Sequence, residues 1–266
     1  MELSSEFQPT VLDVKQLAAY PYLESLVSMV NEAFRVHHCE LFDTHNTGRF
    51  EDVEEIVESL DAVGRFCIIT QSQENQAPRI VACSLLKAFH EEDPVSSPPP
   101  KKADNTHNSI SSPNGANGIR KLPESSGSEP SFTPASLHAK GEVDADIDIR
   151  SISEWELGVV VVHPDPQLSK LGLAVRCASL LEQDLLARLE RAERQDGNDT
   201  IAPVGQQQPL TFWVKTTAAI NESYWQRRGF KTVRTKTFPK GFWGAYQDFD
   251  LAWMKKCIPL RAISSS

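Results

Sequence analysis

The sequence predicts an α/β fold, in which a mixed, mostly antiparallel twisted sheet carries helices on both faces of a single domain. Three stretches predict it. Residues 65–88 hold two apolar, β-rich runs joined by a polar turn, which is typical of a hairpin. Residues 154–189 run from a β-branched strand through a proline-bearing turn into an amphipathic helix. Residues 210–255 then alternate strand, helix and strand patterns.

The first 60 residues predict one strand and two helices. The strand is short, from Thr10 to Val14. The first helix follows Pro21, which suits a first helical turn. Its apolar face consists of Leu23, Leu26, Val27, Val30 and Phe34. The second helix covers residues 52–60 and carries acids in its first turn, as the helix dipole favours.

The loop between these two helices contains side chains that could bind a metal. They are His37, His38, Cys39, Asp43 and His45. Their spacing matches neither an HExxH helix nor a zinc-finger frame. A solvated or substrate-facing loop is therefore the preferred interpretation, and no metal is predicted.

The hairpin comprises Arg65 to Gln71 and Arg79 to Ala88, and residues 90–150 after it differ in composition. They hold eight of the chain's 17 prolines and only one aromatic residue, Phe132. Such a segment cannot bury enough apolar surface to offset its ordering entropy. We expect a disordered insertion within one domain, because neither flank contains a complete sheet. Residues 191–209 predict a second polar loop.

The stretch around residue 160 predicts a strand that leads into a helix N-terminus. Gly158 to Val162 form a buried strand pattern, and His163-Pro164-Asp165-Pro166 ends it. The first N–H groups of the next helix have no internal partner, and the small residues Gly172 and Ala174 leave room for a phosphate there. A purely structural turn is the alternative.

These residues resemble the cofactor-binding motif of the GCN5-related N-acetyltransferases. Val162-His163-Pro164 is similar to the strand end of that motif, and Ser169-Lys170-Leu171-Gly172-Leu173-Ala174 to its Q/R-x-x-G-x-G/A turn. Ser169 stands where the motif has Gln or Arg, while Gln167 lies two residues earlier. The resemblance implies that this turn binds acetyl-CoA and that the backbone of Val160, Val161 and Val162 holds its pantetheine arm. It also implies that the two middle strands splay apart to admit it.

The C-terminal third carries a second resemblance to the same family. Leu210 to Lys215 predict a strand, and a helix beginning at Asn221-Glu222-Ser223 ends at Gly229. Phe230 to Thr237 and Gln247 to Lys255 predict the last two strands. Trp225-Gln226-Arg227-Arg228-Gly229-Phe230 is similar to the family's Tyr-x-x-x-Gly-Phe. The chain looks most like fungal-type members of unassigned substrate.

This second motif suggests which residues contact the cofactor and which could act as an acid. Trp225 occupies the family's Tyr position but cannot protonate a thiolate, because the indole N–H does not titrate usefully. Tyr224 could serve instead, or water could. Asn221 is either a coenzyme contact or a plain helix cap.

Acyl transfer to an amine also needs a group that removes a proton from the acceptor. Glu156 is the first candidate base and Glu154 the second, with surface acids as the alternative interpretation. By strand alternation we expect both carboxylates on the face of Gly158, Val160 and Val162.

Composition narrows the function further. A net charge of −9 and a pI near 5.3 argue against a general nucleic-acid binder and mildly favour a cationic acceptor. Five scattered cysteines without a CxxC pair predict reduced thiols, three of them in the core. No signal peptide or membrane span is recognised, so we expect a cytoplasmic or nuclear protein.

Three function classes remain open. The first is an acetyl-CoA-dependent N-acetyltransferase that acts on a small or protein amine by direct transfer. The second is a non-catalytic acyl-CoA-binding or protein-interaction module on the same fold. The third, a dinucleotide-binding enzyme, is weak, because the turn lacks G-x-G-x-x-G.

Overall fold

A computed structural model describes residues 6–43, 48–74, 76–91, 147–195 and 209–258. The described residues belong to one compact unit, made of residues 1–100 and 145–266. The predicted disordered insertion lies outside the described residues over 92–146, so its disorder stays a prediction. The C-terminal end of the predicted insertion is ordered, because Ile149–Ser151 form a 3-10 turn that the Asp148 carboxylate caps.

Seven strands form one sheet in the order β1-β2-β3-β4-β5-β7-β6. The strands are β1 (Phe7–Leu12), β2 (Arg65–Gln71), β3 (Arg79–Ala88), β4 (Glu154–Val162), β5 (Leu210–Thr217), β6 (Lys231–Phe238) and β7 (Phe249–Ile258). Every neighbouring pair is antiparallel except β4 and β5, which are parallel. The predicted mixed, mostly antiparallel sheet is confirmed.

Five α-helices accompany the sheet in the described part of the chain. They are α1 (Val14–Ala18), α2 (Leu23–His38), α3 (Val53–Glu58), α4 (Leu173–Gln195) and α5 (Ala218–Gln226). None of them combines the length and the apolarity that crossing a membrane would require.

The helices cover both faces of the sheet, because successive strand residues point in opposite directions. On β2, Phe66 and Ile68 pack in a core with α1, α2 and α3, whereas Cys67 and Ile69 pack in a second core with α4 and α5. We call these two sides of the sheet the α2 face and the α4 face. The three predicted core thiols are buried: Cys67, Cys83 and Cys177.

Helix α4 is longer than the sequence pattern indicates. It continues to Gln195, five residues into the segment predicted as a polar loop. Its buried stripe repeats at every fourth residue: Leu173, Cys177, Leu181, Leu185 and Leu189. Beyond this stripe the polar residues still belong to a helix. Within the helix, Arg188 pairs with Asp184 at 2.9 Å, and the two side chains are only 10% and 25% exposed.

Two element boundaries differ from the prediction because caps and strand ends decide them. Strand β1 ends at Leu12, since Asp13 accepts the Gln16 N–H at 2.8 Å and begins α1. Helix α5 begins at Ala218, directly after β5, so Asn221 lies inside the helix. The interpretation of Asn221 as a helix cap is therefore wrong.

The loop rich in histidine is largely a helix end. Helix α2 extends through His38, whose ring stacks on Phe34 with ring centroids 4.8 Å apart. Burial, with a smaller contribution from His37, lowers the pKa of His38 to about 4. Residues 44–47, which include His45, lie outside the described residues. Among those described, no three His, Cys, Asp or Glu side chains come together as a metal site.

The buried His38 makes stability depend on pH. The imidazole stays neutral in the folded chain down to a pKa of about 4, against 6.5 ordinarily. A lowered folded pKa gives stability that is complete above pH 6.5 and is lost as the pH falls toward 4. We expect His38→Phe, which keeps a stacked ring, to lose about 2 kcal/mol less unfolding free energy than the native chain between pH 7.5 and pH 5.

Urea unfolding at the two pH values measures this difference, with His90→Phe as the control at an exposed histidine. An equal pH dependence in the native chain and the His38→Phe variant would contradict a neutral, buried His38.

Candidate active site

The two parallel strands in the middle of the sheet separate soon after they meet. Strands β4 and β5 pair only where Glu154, Trp155 and Glu156 face Thr211, Phe212 and Trp213. Beyond Glu156, the only described strand that pairs with β4 is β3. The strands diverge toward their carboxyl ends, as the family resemblance implied, and we call the space between them the opening.

A bulge interrupts β4 beside the opening. Val159 has φ +46°, which is unusual for a β-branched residue, and the register to β3 shifts between Cys83 and Leu85. The Ser84 hydroxyl donates to the Gly158 carbonyl at 3.3 Å within this bulge. The extra residue re-aims the backbone groups of β4 where β5 no longer covers them.

The bulge also corrects the predicted direction of the strand's side chains. Before it, Trp155 and Leu157 pack in the α4-face core; after it, Val160 and Val162 do. Val161 packs in the α2-face core instead. The predicted placement of Glu154 and Glu156 on the face of Val160 and Val162 is therefore wrong, because one extra residue exchanges the two faces. Both glutamates lie on the α2 face.

The turn after β4 is anchored to β3. Arg79 Nη1 lies 2.9 Å from Asp165 Oδ2, and Arg79 Nη2 lies 3.2 Å from His163 Nδ1. Asp165 Oδ1 accepts the Gln167 N–H, and this bond, with the Arg79 contact, lowers the pKa of Asp165. Leu168 is buried beneath the turn. These contacts determine where α4 begins.

The N-terminus of α4 is open to solvent. Gly172 has φ +74°, and a Cβ added there would meet no described atom within 4 Å. Gln167, Ser169, Lys170 and Leu171 are exposed, whereas the side chain of Leu173 is in the core. The Arg176 N–H donates to the Gly172 carbonyl, so the amides just before Arg176 point out of the helix end. An anion could therefore reach the backbone amides of the predicted turn. Leu173 could contact it only through its backbone, because its side chain is buried.

Helix α5 brings Tyr224 close to α4. Burial raises the pKa of Tyr224, and Arg228 opposes that shift while Cys177 of α4 adds to it. The Arg228 guanidinium lies 3.4 Å from the Tyr224 ring centroid and donates to the Tyr224 carbonyl at 3.1 Å. Asn221 lies one turn before Tyr224 on the same side of the helix, and its amide has no hydrogen-bond partner among the described residues.

Trp225, the next residue, is a core side chain. It is 6% exposed and contacts the rings of Tyr224 and Phe230, each with centroids 5.1 Å away. Little of its surface is available to a ligand. Its predicted cofactor contact stays a prediction.

Glu156 stands in a cluster of cations on the α2 face. Its Oε2 lies 3.0 Å from Lys215 Nζ, with the two side chains only 15% and 22% exposed. Burial lowers the pKa of the Arg49 guanidinium, and the carboxylates of Glu55 and Glu156 raise it. Lys215 also donates to the His90 carbonyl at 3.3 Å. Neither Lys215 nor Arg49 was predicted from the sequence as a site residue. Lys215 is a neighbour of Glu156 because β4 pairs with β5.

Glu154 lies at the closed end of the β4–β5 pair. It is exposed and borders a cavity of about 430 Å³, together with Asp61, His90, Ile147 and residues 151–153. This cavity is at the start of β4, whereas the opening and the α4 N-terminus are at its end. The structure thus separates the two candidate bases, and only Glu156 adjoins the opening.

Among the comparisons with known proteins, those with solved structures give matches. No protein-family model matches it, and no curated protein matches it. One similar solved structure is the ribosomal-protein-S18-alanine N-acetyltransferase from Escherichia coli, with 10% identity and a TM-score of 0.44 over 97% of this chain and 99% of that one. Another is an acetyltransferase of the GNAT family from Streptococcus pneumoniae, with 11% identity and a TM-score of 0.42 over 96% of this chain and 100% of that one.

A third similar structure is a putative acetyltransferase from Salmonella typhimurium with its cofactor acetyl-CoA (12% identity, TM-score 0.40, 98% of this chain and 99% of that one). Likeness at such identities and TM-scores does not determine function.

Proposed function

We propose that this chain is an N-acetyltransferase that moves an acetyl group from acetyl-CoA to an amine by direct transfer. The observation that carries the proposal is the opening between β4 and β5, which has an exposed helix N-terminus at its wide end. An elongated molecule with phosphates at one end and a reactive group at the other fits this arrangement. A dinucleotide site is disfavoured, because the turn lacks the three-glycine pattern.

The phosphates of acetyl-CoA would lie at the α4 N-terminus. There the free amides and the positive end of the helix dipole favour an anion. The proposed contacts are Gln167, Ser169, Lys170, Leu171, Gly172, Leu173 and Ala174. Lys170 adds a positive charge. The Ser169 hydroxyl can donate one hydrogen bond where the family motif has a longer side chain.

The pantetheine arm would follow the uncovered edge of β4. The backbone of Val160, Val161 and Val162 has no β5 partner, so its amide groups can bond to the amides of the arm as a neighbouring strand would. A backbone N–H of β4 near the bulge at Val159, where β5 provides no partner, can stabilise the charge that develops on a thioester oxygen.

Proton transfer falls to Glu156 and Tyr224. The Glu156 carboxylate adjoins the opening on the α2 face and can accept a proton from the acceptor ammonium, directly or through water. Tyr224 keeps its phenolic proton at neutral pH, because burial raises its pKa, and can donate it on the α4 face. Asn221 and Trp225 on the same helix are proposed cofactor contacts, Asn221 through its side-chain amide.

A non-catalytic acyl-CoA-binding or protein-interaction module is the second candidate. The ion pair between Glu156 and Lys215 favours it, because it engages one carboxylate oxygen that a base would use. The buried Trp225 at the tyrosine position favours it too. Acetylation of an amine by the native chain, and its loss in Glu156→Gln, would separate the enzyme from this module.

Replacement of Glu156 tests the catalytic step. We expect Glu156→Gln to lower kcat by at least about 100-fold, because the carboxylate removes the acceptor proton, with the acetyl-CoA affinity nearly unchanged. Thiol release in the presence of an amine panel measures kcat, and calorimetry measures affinity. Glu154→Gln, at the closed end of the same strand, is the matched control with native rates.

Equal rates for Glu156→Gln and the native enzyme would remove Glu156 from the mechanism. A native chain that binds acetyl-CoA but acetylates no amine would favour the non-catalytic module.

Replacement of Gly172 tests the phosphate position. We expect Gly172→Glu to weaken acetyl-CoA binding by at least about tenfold, because the new carboxylate repels the phosphates at the helix end. Gly241→Glu is the matched control. Gly241 also has a positive φ, +89° against +74°, with no described atom near its Cβ, so both changes cost similar backbone strain.

Thermal melts check that both glycine variants fold, and calorimetric titration compares their affinities. Equal acetyl-CoA affinity in the two variants would rule out the α4 N-terminus as the phosphate site.

A further inference from the structure

Three neighbouring strands present cations on the α2 face. The register places Trp213 opposite Lys255, Lys215 opposite Trp253 and Trp253 opposite Arg234, so these side chains point the same way. The cations on this side are Lys215 on β5, Lys255 on β7, and Lys231, Arg234 and Lys236 on β6. We call this surface the cationic face.

The other side chains that β5, β7 and β6 direct to this side include no acid. They are Thr211, Trp213, Thr217, Phe238, Phe249, Leu251, Trp253 and Cys257. The whole chain has a net charge of −9, so a surface of this sign opposes the global charge. Such a surface creates a local field that attracts anions.

Aromatic rings lie beneath the charges. Lys255 Nζ is 5.5 Å from the Trp213 ring centroid, and Arg234 Cζ is 4.6 Å from that of Trp253. Lys236 Nζ is 5.3 Å from the Phe238 ring centroid. Contact with the ring faces stabilises the cations. The flexible side chains are thus positioned before a ligand arrives, which reduces the entropy lost on binding.

The cationic face is continuous with the candidate active site. Lys215 belongs to this face and lies 3.0 Å from Glu156, the proposed base. An acceptor amine at Glu156 would therefore have the rest of its molecule over β5, β7 and β6.

We propose that the cationic face binds the carboxylates of an acidic peptide whose amine is the acetyl acceptor. The acceptor role rests on the proposed function; the binding of the peptide does not. This proposal reverses the cationic acceptor that the net charge favoured, because the local field decides which molecule is attracted.

The size of the surface favours a peptide over a single amino acid. Adjacent strands lie about 4.8 Å apart, so cations on β5 and β6 are separated by roughly 10 Å, beyond the reach of one carboxylate. Side chains on one side of an extended peptide repeat about every 7 Å. Successive acidic residues can thus meet cations on different strands.

The aromatic layer distinguishes a peptide from single-stranded nucleic acid. Nucleic-acid binding of this kind requires exposed rings on which bases can stack. Trp253 and Phe238 are only 3% and 2% exposed, beneath the charges. Trp213 is half-buried, and its ring stacks on Phe89 with centroids 4.6 Å apart. The exposed Trp243 stacks on Phe238 at 6.1 Å, at the edge of the face near Lys236. Among the described rings of the face, only this edge ring is exposed, so the charges are the main contact that the face offers, which suits carboxylates.

A direct binding measurement tests the proposal. The probe is a fluorescein-labelled peptide with one lysine flanked by three glutamates on each side, compared with a peptide in which arginine replaces glutamate. Anisotropy without acetyl-CoA should show binding of the acidic peptide only, weakening as salt rises from about 50 to 200 mM. Lys255→Gln should weaken it about threefold, and Lys255→Gln with Lys231→Gln about tenfold.

Lys256→Gln is the matched control. Lys256 is the next residue of β7, carries the same charge and pairs with Phe212, so it points to the α4 face. It should bind the acidic peptide like the native chain. Equal losses in Lys255→Gln and Lys256→Gln, or equal binding of the acidic and basic peptides, would overturn the proposal. If the chain bound a 12-mer oligouridylate and not the acidic peptide, the ligand of the cationic face would be a nucleic acid, and the proposal of a peptide would be wrong.

Failure of the proposed function gives a different result. If the acidic peptide binds with this dependence on Lys255 but acetyl-CoA does not bind, the cationic face stands as a peptide site and the acceptor role falls. If both bind, faster acetylation of the acidic peptide than of the basic one supports the full proposal, and the reverse order overturns the acceptor assignment.

Discussion

The separation of β4 from β5 beyond Glu156 is the constraint on which the rest of the site depends. Three paired residues hold the two parallel strands together, and beyond them the backbone of β4 has a partner on one side only. An uncovered strand edge inside a sheet must be satisfied by water or by a ligand, since unpaired buried amides are costly. The bulge at Val159 belongs to this arrangement, because it re-aims the backbone at the point of separation.

The two faces of the sheet give the opening two different chemical sides. On the α4 face, two helices begin at the carboxyl ends of the diverging strands, and an exposed turn around Gly172 leads into the longer one. On the α2 face, one carboxylate, Glu156, stands among cations. An anionic donor entering from one side and an acceptor from the other would meet between the strands. This division follows from strand alternation together with the one-residue shift at the bulge.

Much of the fold could be predicted because β-branched and alternating patterns determine strands locally. Strands β2, β3 and β4 begin and end where the pattern indicated. The bulge could not be predicted. The run from Val159 to Val162 is uniform, so no residue in it signals a positive φ, and pairing with β3 imposes the conformation. That single residue changes which face Glu156 occupies.

The parts of the candidate site that lie within one short stretch of sequence could be predicted. The parts that depend on which strands lie side by side could not. The turn from Ser169 to Ala174 is local, and its glycine lies in the open position expected. Lys215 is a neighbour of Glu156 because β5 lies beside β4 in the sheet. The cationic face forms because β7 lies between β5 and β6. A lysine in a strand carries no sign of the residue that it will face across the sheet.

The central claim is that acetyl-CoA occupies the opening between β4 and β5. Amide hydrogen exchange measured with and without saturating acetyl-CoA tests it most directly, because it reports which backbone groups gain partners. The account predicts slower exchange in Val159 to Val162 and in the turn through Ala174, with β1 and β2 unchanged. Unchanged exchange in β4, or protection confined to the cavity beside Glu154, would contradict it.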